Sequence, residues 1–428
     1  MRGTLTCRYH FIITNVMNIF SYIILIALVL QFILDTVAHT LNLRALKSEI
    51  PLALAGVYEP EDYRKSQEYT RSRTRFGFVT SSFSLLVILL FWFTGGFNFL
   101  DQIVRSWGFG PIVNGLCYTG ILMIAYELLT LPFSIYSTFV IEERFGFNRT
   151  TPRVFITDSL KGLVLTVVLG GSILSAVLVL FEYADNYAWL YCWLLITIFN
   201  IVVQFIAPIW IMPLFNKFTP MEPGELKDAI QGYARSTGYE VGNISVMDGS
   251  KRSTKANAFF AGFGRTKRIA LFDTLISKHT VPELVAILAH EIGHYKKKHV
   301  LWGMLISIAH TGLILYLLSI LLSNSGLYQA FYMDYTSIYT GLIFFGLLYT
   351  PLEMILSLGL QILSRRHEYA ADQFAVQTTG ETQSLIAALK KLHSDSLSNL
   401  TPHPLYAFLN YSHPTLLQRI LAVERLKT

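Results

Sequence analysis

Two histidines and a glutamate stand out in the stretch LVAILAHEIGHYKKKH. On a helix His290 and His294 are four residues apart, so both imidazoles project from one face and can bind a single zinc ion. Glu291 lies beside them and could take a proton from a water that the metal activates. Thr280 and Glu283 have the spacing of a capping box and predict where this helix begins. The stretch therefore predicts a helical zinc site of the kind that hydrolyses bonds.

A catalytic zinc ion commonly has three protein ligands, and the segment SRRHEYAADQFA offers the third. Glu368 could bind the metal. Asp372 follows four residues later, where it could accept the spare N–H of a ligand histidine. His367 is adjacent to Glu368 but points about 100° away from it on a helix, which makes it a poor ligand. His299 and His310 would continue the first helix off the metal-facing side. Five other histidines lack metal-ligand spacing: His10, His39, His279, His393 and His403. All seven are interpreted as structural or surface residues.

The elements that must position these residues are predicted to be membrane spans. Only 14% of the 428 residues are charged, whereas a soluble protein usually has about 25%. Three scattered cysteines exclude a disulfide framework or a cysteine metal site. The first apolar stretch is longer than the core of a signal peptide and is interpreted as a retained span. Seven stretches are long enough to cross a bilayer as helices: roughly 11–34, 76–100, 111–141, 160–181, 187–213, 300–322 and 337–363.

The basic residues are distributed unevenly between the two faces that seven spans define. One face has three arginines, Arg2, Arg8 and Arg105, and the segments on the other face have thirty lysines and arginines. The basic face is expected to be cytosolic. An odd number of spans places both large polar segments, 214–299 and 364–428, on that face.

The same topology brings the candidate ligands together. His294 lies about six residues before the sixth span and Glu368 about five residues after the seventh, so at 1.5 Å per residue both are roughly 8–9 Å from one membrane surface. A hairpin of these two spans would therefore deliver the three ligands to one point.

Several segments resemble those of a known family, the type I CAAX prenyl proteases, which are seven-span zinc metalloproteases. The resemblance covers most of the chain, and the set is far more specific than HEIGH alone. It includes EERFGFNRTTPRVFITDSLKG (142–162), PLFNKFTPMEPGELKDAI (213–230), DGSKRSTKANAFFAGFG (248–264), SRRHEYAAD (364–372) and SHPTLLQRI (412–420).

The resemblance implies a mainly α integral-membrane fold in which seven helices surround a large chamber. A cytosolic zinc-metallopeptidase domain with a small β-sheet would close that chamber. It implies one zinc ion per chain, removal of the last three residues from proteins that end in a prenylated CAAX box, and a second upstream cut in some substrates. It also marks Asn257 and His413 as contacts to the peptide or to the developing oxyanion. Asn257 opens a β-like run beside RIALFD (268–273), and an edge strand there could hold a substrate backbone.

Two alternative functions share some of these features. A membrane quality-control zinc protease would have the same catalytic residues, but its known forms are shorter, with fewer spans. A carrier or channel with a structural metal is favoured only by the intramembrane charges Glu127 and Lys161.

The expected partners are a prenylated protein or peptide and the lipid bilayer, with no nucleic acid, and the chain is expected to be a monomer. Its membrane would be that of the endoplasmic reticulum or nucleus in a eukaryote, or the inner membrane in a bacterium. The predicted segments are spans one to five (1–213), a catalytic loop domain (214–299), a hairpin of spans (300–363) and a C-terminal catalytic segment (364–428).

Overall fold

Seven long apolar helices dominate the computed structural model, which describes residues 17–47, 49–261 and 268–427. Residues 11–16 of the first predicted span lie outside these ranges. Within them, seven helices are long and apolar enough to cross a membrane, as the sequence predicts. They are numbered here as spans 1 to 7: Ile19–Arg44, Pro60–Phe93, Pro111–Glu142, Pro152–Tyr183, Asp185–Phe215, His299–Leu321 and Ile338–Thr379.

Spans 2 and 7 have the limits that differ most from the predicted ones; span 1 also continues to Arg44, beyond 34, and span 4 begins at Pro152, before 160. Span 2 begins at Pro60, well before the apolar run at 76, and ends at Phe93 because Gly95 adopts a left-handed conformation with φ of 75°. Span 7 continues as one helix to Thr379, beyond the predicted limit of 363. An apolar run marks only the part of a helix that lies in lipid. Backbone hydrogen bonding continues into water wherever one face of the helix is covered.

Three spans contain a π-helical turn, and the remaining helices are short. The π-helical turns are Ser137–Glu142, Thr166–Gly170 and Ala207–Ile211. The other helices of four or more residues outside the spans are Gly96–Ser106, Glu225–Ser236, Asp273–Ile276, Val281–Lys296, Ser325–Gln329, Thr382–Asp395, Pro404–Asn410 and Leu416–Glu424.

The spans pack against one another over a small part of their surface. Between 0% and 17% of the residues in the most apolar window of each span are buried. At one end of the bundle, the segment between spans 6 and 7 forms a cap. Trp92 donates to the Ala330 carbonyl at 2.7 Å, and the Asn18 amide donates to the Gly326 carbonyl at 2.6 Å. This cap lies opposite the end that carries the HEIGH sequence.

A four-stranded sheet lies between spans 5 and 6 in the sequence. Its strands are β1 (Phe218–Pro220), β2 (Asn243–Met247), β3 (Ala258–Ala261) and β4 (Arg268–Phe272), in the order β1-β2-β4-β3. Strands β2 and β4 are parallel and the other pairs are antiparallel. Among the described residues β3 pairs only with β4, so it is an edge strand, as the sequence predicts.

Arg252 joins the sheet region to the membrane helices. Its guanidinium donates to Asp158 of span 4 at 2.7 Å and to the Asn216 side chain at 2.8 Å. Because one planar group binds both partners, the end of span 5 and the start of span 4 are held against the sheet region.

The HEIGH helix, Val281–Lys296, begins where the capping box predicts. The Thr280 amide donates to Glu283 Oε2 at 2.8 Å, and Lys391 binds the same oxygen at 2.7 Å. The apolar face of the helix includes Leu288 and Ile292, both buried. Burying each such side chain contributes about 1.5–3 kcal/mol, which fixes the orientation of the opposite, histidine-bearing positions.

Candidate metal centre

The HEIGH helix crosses span 7 at very short range. A Cβ at Gly293 would lie 3.1 Å from the Ala371 Cα and 3.2 Å from the Phe374 Cβ. A glycine at this position allows the two helix backbones to approach closely without a tight Cβ contact. The crossing places His290 and His294 opposite Glu368.

Three potential ligand atoms converge at this crossing. One atom from each of His290, His294 and Glu368 lies within 4.8 Å of the others. The two histidine Nε2 atoms are 3.1 Å apart, and the Glu368 oxygens lie 3.4 Å from His290 Nε2 and 3.2 Å from His294 Nε2. Glu368 Oε2 is buried, and its nearest charged partners are His290 Nε2 at 3.4 Å and Arg419 Nη1 at 3.5 Å. Two imidazoles and one carboxylate fit the donor set of a catalytic zinc ion.

A buried ion pair supports this group from behind. His290 Nδ1 lies 2.8 Å from Asp372 Oδ1, and Arg419 binds both oxygens of Asp372, at 2.8 Å and 2.6 Å. Burial alone lowers the pKa of His290, but hydrogen bonds with Asp372 and Glu368 outweigh it and raise the pKa to about 9. Because zinc binds the neutral imidazole, metal binding at His290 would be coupled to release of a proton.

Two further predicted residues border the same group. His413 Nε2 lies 3.4 Å from Glu368 Oε1, and its side chain is 61% exposed. The Ser412 hydroxyl lies 2.9 Å from His413 Nδ1 and can fix the orientation of the ring. Glu291 is half-buried one residue from His290, and its charge acts on both Arg419 and Tyr239.

Asn257 stands apart from this cluster. It directly precedes β3, its side-chain oxygen accepts from the Ala258 amide at 2.9 Å, and it is exposed. In the part of the chain that the structure describes, no contact joins it to the histidines or to Glu368. Asn257 lies at the start of the edge strand β3.

Sequence reasoning missed two residues of the site. His299, interpreted from the sequence as lying off the metal-facing side, has its Nδ1 atom 3.0 Å from His294 Nδ1 and stacks on His367 at 3.9 Å. It reaches His294 because the chain turns at Lys298, with φ of 60°, before span 6 begins.

Arg419 lies on the buried face of its helix, where a cation needs a buried carboxylate partner. The sequence signal for this was an arginine among the apolar residues of SHPTLLQRI (412–420).

A helix-borne HExxH sequence completed by a glutamate, within a seven-span bundle, defines an integral-membrane metallopeptidase. The model of the CAAX prenyl protease N-terminal region, with five membrane helices, matches residues 39–217, and that of peptidase family M48 matches residues 220–427. The chain therefore belongs to peptidase family M48.

Similar proteins cover nearly the whole chain. "CAAX prenyl protease 1" of Saccharomyces cerevisiae is 36% identical over 406 residues, 88% of this chain and 89% of that protein. "CAAX prenyl protease 1 homolog" of Homo sapiens is 32% identical over 89% of this chain and 90% of its own length. The crystal structure of S. mikatae Ste24p covers 95% of this chain and all of its own, with 34% identity and a TM-score of 0.90. The predicted seven-span, chamber-forming fold is confirmed.

One of the two charges that suggested a carrier, Lys161, makes contacts within the protein. Lys161 donates to the Leu214 carbonyl at 2.7 Å and lies over the Phe215 ring. It therefore joins spans 4 and 5. Since the chain is a metallopeptidase, the carrier alternative is wrong.

Proposed function

We propose that this chain is a zinc-dependent endopeptidase that removes the last three residues of prenylated CAAX proteins. The observation that carries the proposal is the convergence of His290, His294 and Glu368 at the crossing of the HEIGH helix with span 7. The substrate class comes from the relatives named CAAX prenyl protease 1. One zinc ion per chain would be held by these three side chains.

Each residue around the metal position has a proposed task. When bound, zinc would acidify a water and polarise the scissile carbonyl. Glu291 would accept the water's proton and pass it to the leaving amine. His413 would donate to the developing oxyanion, with Ser412 holding its ring. Asp372, itself held by Arg419, would keep the Nδ1 proton on His290 so that Nε2 remains free for the metal.

The substrate would lie with its peptide along the sheet and its lipid in the membrane. The outer edge of β3, beginning at Asn257, offers backbone groups for an added strand. A prenyl chain that enters an apolar environment contributes about 0.8 kcal/mol per buried carbon group. Binding energy from the remote lipid would help to position the scissile bond at the metal.

The proposed organisation follows from this assignment. Segments 1–213 and 300–363 would form the membrane chamber, and segments 214–299 and 364–428 would form a cytosolic catalytic unit. The enzyme would act as a monomer in the endoplasmic reticulum or nuclear membrane of a eukaryote, or the inner membrane of a bacterium.

The test compares a farnesylated CAAX peptide with the same peptide without lipid, using purified chain in detergent. Burial of a few isoprenoid carbons predicts that kcat/KM is about 100-fold or more higher for the farnesylated peptide. Mass spectrometry should show loss of the last three residues. Equal kcat/KM for the two peptides would favour the quality-control protease instead.

A further inference from the structure

A groove separates spans 2 and 3 at the end of the bundle that carries the catalytic residues. It encloses about 520 Å³. Phe76 packs against Tyr136 and Phe133 at ring distances of 5.0 Å and 6.1 Å. Val79 and Val140 line the same groove and are 56% and 45% exposed. The lining below the mouth is therefore apolar and open.

Irregular backbone on span 3 shapes this groove. Pro132 interrupts the hydrogen-bond ladder within the helix, and the π-helical turn Ser137–Glu142 follows directly. A proline and a π-helical turn both change the helix direction and the facing of the side chains. Both features lie in the part of span 3 that lines the groove.

The mouth of the groove has positive charge that nearby carboxylates do not neutralise. Arg75 and Arg144 both line it, and neither forms an ion pair in the described part of the chain. Arg144 lies over the Phe145 ring at 5.5 Å. Glu142, the adjacent acid, is already bound by Tyr69 at 2.6 Å and by Lys255 at 2.8 Å. Glu143 accepts from the Asn148 amide.

The position of the two arginines matches a lipid headgroup. Arg75 directly precedes the apolar run of span 2, and Arg144 follows the end of span 3. Both are thus at the membrane surface, and the apolar lining extends from them toward the bilayer interior. Basic pockets between spans on a cytosolic face bind anionic lipid headgroups.

We propose that this groove binds one anionic glycerophospholipid. Arg75 and Arg144 would bind its phosphate, and an acyl chain would lie along Phe76, Val79 and Val140. The inference is independent of the peptidase reaction, since none of these residues lies at the metal centre. A prenyl chain alone could fill the apolar part but would leave both arginines without an anion.

The test measures retention of dioleoylphosphatidylglycerol by the full chain in native mass spectrometry, with dioleoylphosphatidylcholine as the comparison lipid. The wild-type chain should retain one phosphatidylglycerol in preference. Replacing both arginines, R75Q with R144Q, should lower that affinity about tenfold or more, or roughly 1.4 kcal/mol. Arg153→Gln, at the start of span 4 and outside the groove, should leave it within about twofold.

A charge-conserving variant keeps the test interpretable if the double glutamine variant folds poorly. R75K with R144K should retain preferential phosphatidylglycerol binding, because two cations remain at the mouth. Val140→Trp fills the apolar part and should weaken binding of both lipids. Equal retention of the two lipids by the wild type would overturn the proposal, as would unchanged binding in the double glutamine variant. Displacement of the bound lipid by millimolar inorganic phosphate would overturn it as well, since the groove would then hold a free anion.

Discussion

The charged residues at the metal centre are buried and contact one another. Arg419 is 8% exposed and binds Asp372 through two atoms, and Asp372 in turn contacts His290. A buried cation is tolerated only with such partners, and removing one of them leaves the other uncompensated. Arg419 also lies 3.5 Å from Glu368, so this one cation faces both carboxylates. Asp372 and Arg419 thus support His290 from behind, while Glu368 faces both histidines.

Glu291→Gln separates proton transfer from metal binding. The amide keeps the shape of the side chain but cannot accept a proton, so kcat should fall by about 10²–10⁴. Bound zinc, measured by elemental analysis, should stay at the wild-type level because Glu291 lies outside the ligand group. Glu240→Gln, an exposed change in the same domain, serves as the control. Loss of zinc from the Glu291 variant would contradict the proposed role.

His299→Phe tests whether the missed histidine orients His294. The phenyl ring can still stack on His367 but offers no partner to His294 Nδ1, so the imidazole loses the contact that fixes its tautomer. Zinc affinity, measured by competition with a chelator, should fall about 10–100-fold. His367→Phe preserves the stacking and should leave affinity within about twofold. Equal losses in the two variants would show that the contact with His294 Nδ1 does not set the zinc affinity.

The spacing of residues along the sequence predicted which of them share one face of a helix. It did not predict every contact between residues on different helices. His290 with His294, and Glu368 with Asp372, are pairs at i and i+4. Their approach to one another followed from the span topology. The His299 contact depends on a left-handed turn at one lysine, which no local pattern announces.

At the scale of elements, one glycine sets the distance between the HEIGH helix and span 7. Gly293→Ala adds a methyl group 3.1 Å from backbone atoms of Ala371, so the helices must move apart. Overpacking of this kind costs about 1–3 kcal/mol and should lower both the unfolding midpoint and zinc retention. Gly303→Ala, where nothing lies within 4 Å, is the matched control and should be neutral or slightly stabilising. An unchanged midpoint in the Gly293 variant would mean that the crossing tolerates wider spacing.

The first and last residues of the helices were harder to predict from the sequence than the positions of the spans, for a physical reason. Hydropathy reports which residues prefer lipid, and it located all seven spans. It cannot report where a helix continues with one face covered by protein, as span 7 does from the membrane to Thr379. This continuity has a consequence for the site. Glu368 and Asp372 belong to the same continuous helix, Ile338–Thr379, as the apolar part of span 7.

For the whole molecule, the decisive property is which side of the membrane the metal centre occupies. Thirty lysines and arginines lie on its side and three on the other, which predicts that it is cytosolic. A glycosylation acceptor on a flexible insert after Ala184, the residue between spans 4 and 5, should therefore receive a glycan in microsomes. An acceptor inserted in the exposed turn after Glu222 should not.

The chain supplies internal controls for this experiment. Asn148, Asn243, Asn399 and Asn410 are natural glycosylation sequons on the side of the catalytic residues, and all four should remain unmodified. Removing them by Asn→Gln substitution should change neither outcome. A glycan after Glu222, or on any of the four natural sites, would place the metal centre in the lumen. Prenylated proteins of the cytosol could not then reach it, because a charged peptide does not cross the bilayer unaided.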